Sequence, residues 1–411
     1  MRTPKVENPY SPQVRRIDFV VDTVEGAPLR YRVQTPIAGL ERRGILALVH
    51  DAADPELPGK VVGADAVIVF RAPATRVLAR SLAKIRAQLP DTILAFDIDD
   101  ALFDVESNGF AGEAAEFALR YQETVLLCGR MLGSTEAIAN LAQTQLGVPA
   151  APFRNGVHPA QMELSERARR RPRVPGPVRV AMFDGSGTHG PGLSWLSPAI
   201  AELLRSRRHR GVHFWAFGAH SCPEPLGELG RRFHRVPFMD WKDLPMWMRQ
   251  MDLVLAPNMD NPTIADTKSV LKWLESGAVG VPTLAQATRP YREAVTPNVD
   301  GALVGQRTLD AWTEAMDRQL SQPAERRRMG KNALRSVARH SCEAVADDLL
   351  RSLSDLAVSS AAVLSVSPGQ VSVEGTPLKS IPTATPLRSK APLGRRAILK
   401  ALAGEARTPA R

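Results

Sequence analysis

Twice along this 411-residue chain, short apolar runs of strand length alternate with longer helical runs, and that repetition narrows the folds open to it more than any other feature. In the first stretch residues 44–49, 66–70 and 92–96 are continuous apolar runs, with a helical pattern over 74–89 between the last two. Runs at 130–134 and 151–154 then flank a helical pattern over 135–145. In the second stretch 178–183, 212–218 and 252–257 are strand-like, a helix covers about 192–206, and an apolar strand follows the helical run at 268–275. Strands alternating with helices predict parallel sheets covered on both faces. The expected architecture is therefore α/β, with two Rossmann-like, doubly wound domains, and 411 residues suffice for two cores.

Between the two stretches residues 165–177 read SERARRRPRVPGP, polar, basic and proline-rich, as an interdomain linker does. The basic cluster at 169–173 has no interleaved aromatics on which bases would stack, so a solvated linker is favoured over a nucleic-acid patch. The expected boundaries are 1–164 for the N-terminal domain, 165–177 for the linker, 178–355 for the C-terminal domain and 356–411 for a tail. Helical patterns over 309–320 and 324–354 close the body. Beyond residue 357 there are no aromatics and six prolines, which predicts a disordered tail. Within it, only 394–406 has the makings of an amphipathic helix, with weak peripheral contact with an anionic membrane as its functional reading.

The formal charge of +10 looks like a nucleic-acid signature until it is located. Residues 356–411 hold eight Lys and Arg against two Glu, which leaves the body with only +4, so no nucleic-acid partner is expected. No apolar run approaches the ~20 residues of a membrane span, and the first residues lack the apolar core of a signal peptide. Cys128, Cys222 and Cys342 are scattered and match neither a disulfide framework nor a zinc site. A cytoplasmic protein, with peripheral contact at the inner face of the membrane as an option, is the expectation.

Three segments carry chemistry. Lys268, Lys272 and Glu275 stand at i, i+4 and i+7, so a helix running through them would present all three on one face. Two cations and a carboxylate suit a nucleotide-sugar, the cations for its diphosphate and the carboxylate for its ribose hydroxyls. Residues 185–190, GSGTHG, lie between a strand and a helix, where glycines let backbone approach a phosphate. A tight strand-to-helix turn is the plainer reading of the same residues. Finally, Asp97, Asp99, Asp100 and Asp104 cluster after an apolar strand in FDIDDALFD. Helix capping, a phosphatase nucleophile and a metal-binding D-x-D are all open for that cluster.

The run K-S-x-x-K-x-L-E-x-x-A-x-G-x-P from Lys268 to Pro282, with 251–257 and Asn261-Pro262 before it and 290–293 after it, resembles the donor-site element of GT-B glycosyltransferases of the group 1, or family 4-like, class. The resemblance extends more weakly over about 28–350. It implies two Rossmann-like domains facing across a cleft, acceptor on the N-terminal side and nucleotide-sugar on the C-terminal side. It further implies transfer to a glycan, lipid-linked or other hydroxyl acceptor with retention of configuration. No metal and no cofactor are expected, the nucleotide-sugar being a substrate.

By the same resemblance, donor binding falls to Gly185, Ser186, Gly187, Thr188, Phe238, Asp266, Thr267, Lys268, Ser269, Lys272 and Glu275, with Phe238 stacking on the base. The catalytic candidates are Asp97, Asp99, Asp100 and His189. Arg30-Tyr31-Arg32 would sit at the N-terminal domain's first loop facing the acceptor, and 154–157 would end that domain. Many members carry two glutamates eight positions apart, and here the upstream position is Thr267, beside Asp266. Two rivals follow from these residues: a haloacid-dehalogenase-like phosphatase using Asp97, and a catalytically inactive nucleotide- or glycan-binding relative.

Overall fold

The computed structural model describes residues 14–22, 26–184, 191–218, 223–258 and 261–360. It contains two parallel six-stranded sheets. The first comprises β1 (Arg16–Val21), β2 (Leu46–Asp51), β3 (Ala66–Phe70), β4 (Ile93–Ile98), β5 (Met131–Gly133) and β6 (Ala150–Pro152), in the order β2-β1-β3-β4-β5-β6. The second comprises β7 (Val178–Phe183), β8 (Val212–Phe217), β9 (Phe233–Val236), β10 (Leu253–Ala256), β11 (Thr283–Gln286) and β12 (Ala302–Val304), in the order β12-β11-β10-β7-β8-β9. Helices cover both faces of each sheet, so this is the GT-B arrangement of two facing Rossmann-like domains.

Strands buried on both faces read as unbroken apolar runs, and β3, with every residue buried, was legible for that reason. The adjacent strand β1 carries Asp18 at its centre, which hides it from such a reading. That fully buried carboxylate pairs with Arg16, Nη2–Oδ2 2.6 Å, and hydrogen-bonds His50, Nε2–Oδ2 2.9 Å. Threonines start two of the helices that cross over between strands. Thr75 Oγ1 accepts from the Leu78 amide, and Thr135 Oγ1 from the Ile138 amide, each meeting one of the unpaired N–H groups of a first turn.

Two expected boundaries shift. Residues 165–170 belong to the helix Pro159–Arg170, whose outer face is stapled by Glu163–Arg167 and Glu166–Arg170 pairs one turn apart. Only 171–177 form an irregular connection. The larger correction concerns the helix Cys342–Ser360, expected in the C-terminal domain up to residue 355. Its stripe of Val345, Ala346, Leu349, Leu353 and Leu356 packs instead into the N-terminal core with Ile17, Phe19, Ile68 and Phe153. Two glycines permit that return. A Cβ on Gly39 would lie 2.0 Å from the Cys342 carbonyl oxygen, and one on Gly156 2.3 Å from Val345 Cγ2. Leu356 is buried, so the tail cannot begin there; the rest of the expected tail, including 394–406, lies outside the described residues. No helix among the described residues is long and apolar enough to cross a membrane.

Candidate active site

Ligands of open parallel sheets bind beyond the carboxyl ends of the strands, where the strand order reverses. In the C-terminal sheet that point lies between β7 and β10. Asp184 follows β7 there, and its Oδ1 receives Lys272 Nζ at 2.7 Å. Lys272 projects from the helix Leu271–Ala278 and remains about one-third exposed. The helix Pro191–Arg205 begins just beyond. The intervening Gly185, Ser186, Gly187, Thr188 and His189 lie outside the described residues.

Lys268 is not on the same helix as Lys272 and Glu275, contrary to the spacing argument. It follows the helix Pro262–Thr267 in an extended conformation, φ −77° and ψ 125°, and the next helix starts only at Leu271. That break turns its side chain across the cleft, where Nζ meets Asp100 Oδ1 at 2.9 Å. Ser269 also faces the N-terminal domain, its Oγ accepting from Asn155 Nδ2 at 3.1 Å. Asp266 and Thr267 serve the local backbone. Asp266 Oδ1 accepts the Arg289 amide at 2.8 Å, and the fully buried Thr267 donates its hydroxyl to the Ile264 carbonyl at 2.7 Å. Phe238 is 53% exposed in the loop after β9, open to a stacking partner.

Glu275 receives its partners from outside its own domain: the Tyr31 hydroxyl, Gln161 Nε2 at 3.2 Å and Arg30 Nη2 at 3.5 Å all meet Oε1. Arg30 and Tyr31 occupy no loop. They lie with Arg32 in a short π-helical segment, Arg30–Gln34, with all three side chains buried. Burial and the neighbouring Glu275 carboxylate push the Tyr31 phenol well above its usual range, so it keeps its proton and donates it. The Arg30 guanidinium also lies over the Trp241 ring, 4.3 Å from its centroid.

The carboxylates after β4 divide by environment. Asp97 is sealed inside the domain, bound at both oxygens by Arg32, with Nη2–Oδ1 2.5 Å and Nε–Oδ2 3.0 Å. It therefore does not face the cleft, and the expected catalytic role is corrected to a structural one. That also removes the nucleophile the phosphatase reading required. Asp99 stands at the mouth, with Arg71 Nη1 3.3 Å from Oδ1. Arg71 takes an unusual positive φ of 46° at the end of β3. Burial raises the Asp99 carboxyl to about 6; Arg71 opposes the shift and Asp100 adds to it. Asp104 caps the short helix Val105–Asn108 by accepting the Ser107 amide at 3.1 Å. Among the described residues no group of His, Cys, Asp and Glu is arranged to hold a metal ion.

Sequence reasoning missed Asp184, Asn155, Gln161 and Trp241, and it misplaced Tyr31. Each works through a partner far away in the chain, so no local spacing marks it.

The two sheet domains are arranged as in the GT-B fold, and Lys268 meets Asp100 across the cleft between them. Residues 179–322 match the family model for glycosyl transferases group 1. No curated protein sequence matches it significantly. Among solved structures, Anabaena HepE in complex with UDP and glucose is similar at 16% identity over 83% of this chain and 99% of that one, TM-score 0.54. Sucrose-phosphate synthase from Thermosynechococcus elongatus is similar at 16% identity over 82% and 98%, TM-score 0.59. At such identities the likeness is one of fold.

Proposed function

We propose that this protein is a glycosyltransferase that moves a sugar from a nucleotide-sugar to a hydroxyl of a glycan or lipid-linked acceptor, with retention and without a metal. The observation that carries the reading is Lys272 beside Asp184 at the switch point of the domain that matches the group 1 model. HepE, of like fold, binds UDP and glucose, which supports a nucleotide-sugar as donor. In this reading Lys272 moves from Asp184 to the donor diphosphate, together with the backbone of Gly185, Ser186, Gly187 and Thr188. As the sugar bond breaks, charge grows on the leaving phosphate, and a preplaced cation stabilises that state more than the ground state. Lys268 and Ser269 line the same side, Glu275 accepts the ribose hydroxyls, and Phe238 stacks on the base. Asp99, Asp100 and His189 attend the acceptor hydroxyl. Asp266 and Thr267 act indirectly by shaping the loop before Lys268.

The test is a panel of UDP-, GDP- and ADP-sugars, scored first by thermal stabilisation, since bound ligand raises apparent stability, and then by sugar transfer in excess EDTA. One nucleotide should stabilise the protein and transfer should persist in EDTA. Lys272→Ala should lower kcat about a hundredfold, the scale of one lost transition-state donor. Activity abolished by EDTA and restored by magnesium or manganese would sink the metal-free mechanism. Stabilisation by a nucleotide with no transfer to any acceptor would favour the inactive binding relative.

A further inference from the structure

Glu275 is held by one oxygen only. The Tyr31 hydroxyl, Gln161 Nε2 and Arg30 Nη2 all converge on Oε1, while among the described residues no donor reaches Oε2. The three holding side chains are almost completely buried, whereas the Glu275 side chain keeps 13% of its surface exposed. They also form a relay, for Arg30 Nη2 donates to the Tyr31 oxygen at 2.7 Å while Tyr31 gives its own proton to Glu275. None of the three lies in the C-terminal sheet domain: Arg30 and Tyr31 come from the N-terminal domain, and Gln161 from the helix that connects the two. The same Arg30 braces Trp241 in the loop after β9, the loop that carries Phe238.

We infer that Tyr31, seconded by Gln161, is a positioning residue for donor recognition: it pins Oε1 of Glu275 so that Oε2 is presented to the ribose hydroxyls. The nucleoside end of the donor site is then completed by the N-terminal domain, and ribose recognition depends on a side chain 244 positions away from the carboxylate that performs it. A long carboxylate that is already fixed loses little rotamer freedom on binding, and an oxygen committed to Tyr31 cannot swing away from the ligand. The inference rests on Glu275 as the ribose ligand.

The experiment compares, by calorimetry, the affinity of the full chain for the nucleoside diphosphate that stabilises it most among UDP, GDP and ADP with its affinity for the 2′,3′-dideoxy form. The wild type should prefer the ribo form by about tenfold or more, the scale of hydrogen bonds to a charged acceptor. Tyr31→Phe should bring that ratio close to one while leaving affinity for the dideoxy form unchanged; Gln161→Leu, the milder change, should reduce the ratio part of the way. A Tyr31→Phe variant that weakens both ligands equally, or melts earlier with its ratio intact, overturns the positioning role and leaves a purely structural contact. No ribose preference in the wild type defeats the reading of Glu275 itself. A preference lost in Glu275→Ala but retained in both Tyr31→Phe and Gln161→Leu defeats only the inference.

Discussion

Arg32 and Asp97 meet as a two-pronged ion pair with no solvent exposure on either side chain. The remaining Arg32 nitrogen, Nη1, donates to the Phe153 carbonyl and to Asn155 Oδ1 at 3.0 Å. Asn155 in turn reaches Ser269, so the pair anchors the end of the N-terminal domain against the segment between the helices Pro262–Thr267 and Leu271–Ala278.

Removing one member of a buried pair strands the other charge without water. Asp97→Ala should therefore lower unfolding stability by about 3–5 kcal/mol, measured by chemical denaturation. A stable Asp97→Ala protein that has lost only transfer activity would return Asp97 to the catalytic group.

Asp99 sets the pH dependence. Its native pKa is raised from 3.8 to about 6, so between about pH 4 and 6 the folded protein binds a proton that the unfolded chain has released. Stability from this group is thus present at low pH and lost as pH rises through that window. Relative to Asp99→Asn, the wild type should lose stability between pH 4 and 6 and differ by a constant amount above. With the carboxylate serving the acceptor hydroxyl, transfer should rise through an apparent pKa near 6, and the substitution should erase that limb. A rate profile unchanged by Asp99→Asn would remove it from the reaction.

Truncation separates the tail from the body. Ending the chain after Ser360 should leave the melting temperature nearly unchanged, because Leu356 and the rest of the helix's buried apolar stripe precede the cut. Ending it after Ser341 should abolish a stable fold, because five apolar side chains leave the N-terminal core. A large drop in melting temperature for the chain that ends at Ser360 would show that residues beyond it pack on the body.

What the sequence revealed was whatever local pattern controls. The run at 66–70 became β3 without change, and the helix holding Lys272 and Glu275 was read from its spacing. Lys268 was drawn into that helix because periodicity cannot register a three-residue break, and the break is what aims it at Asp100. Strand β1 escaped because its buried Asp18 is satisfied by His50 from the next strand. Arg30 and Tyr31 looked like surface loop residues because their partners, Trp241 and Glu275, lie in the other half of the chain. Charged side chains that are buried by long-range pairing look the same in a sequence as charged side chains in water.

The return of the helix Cys342–Ser360 to the first domain also dictates an order of assembly. A nascent chain that has emerged as far as the irregular connection at 171–177 contains all six strands of the first sheet but lacks Val345, Ala346, Leu349, Leu353 and Leu356, which cover one of its faces. The part of that face which the helix covers has no partner until the second half has been synthesised. The core of the first sheet domain is thus completed by a segment that is made after the second sheet domain.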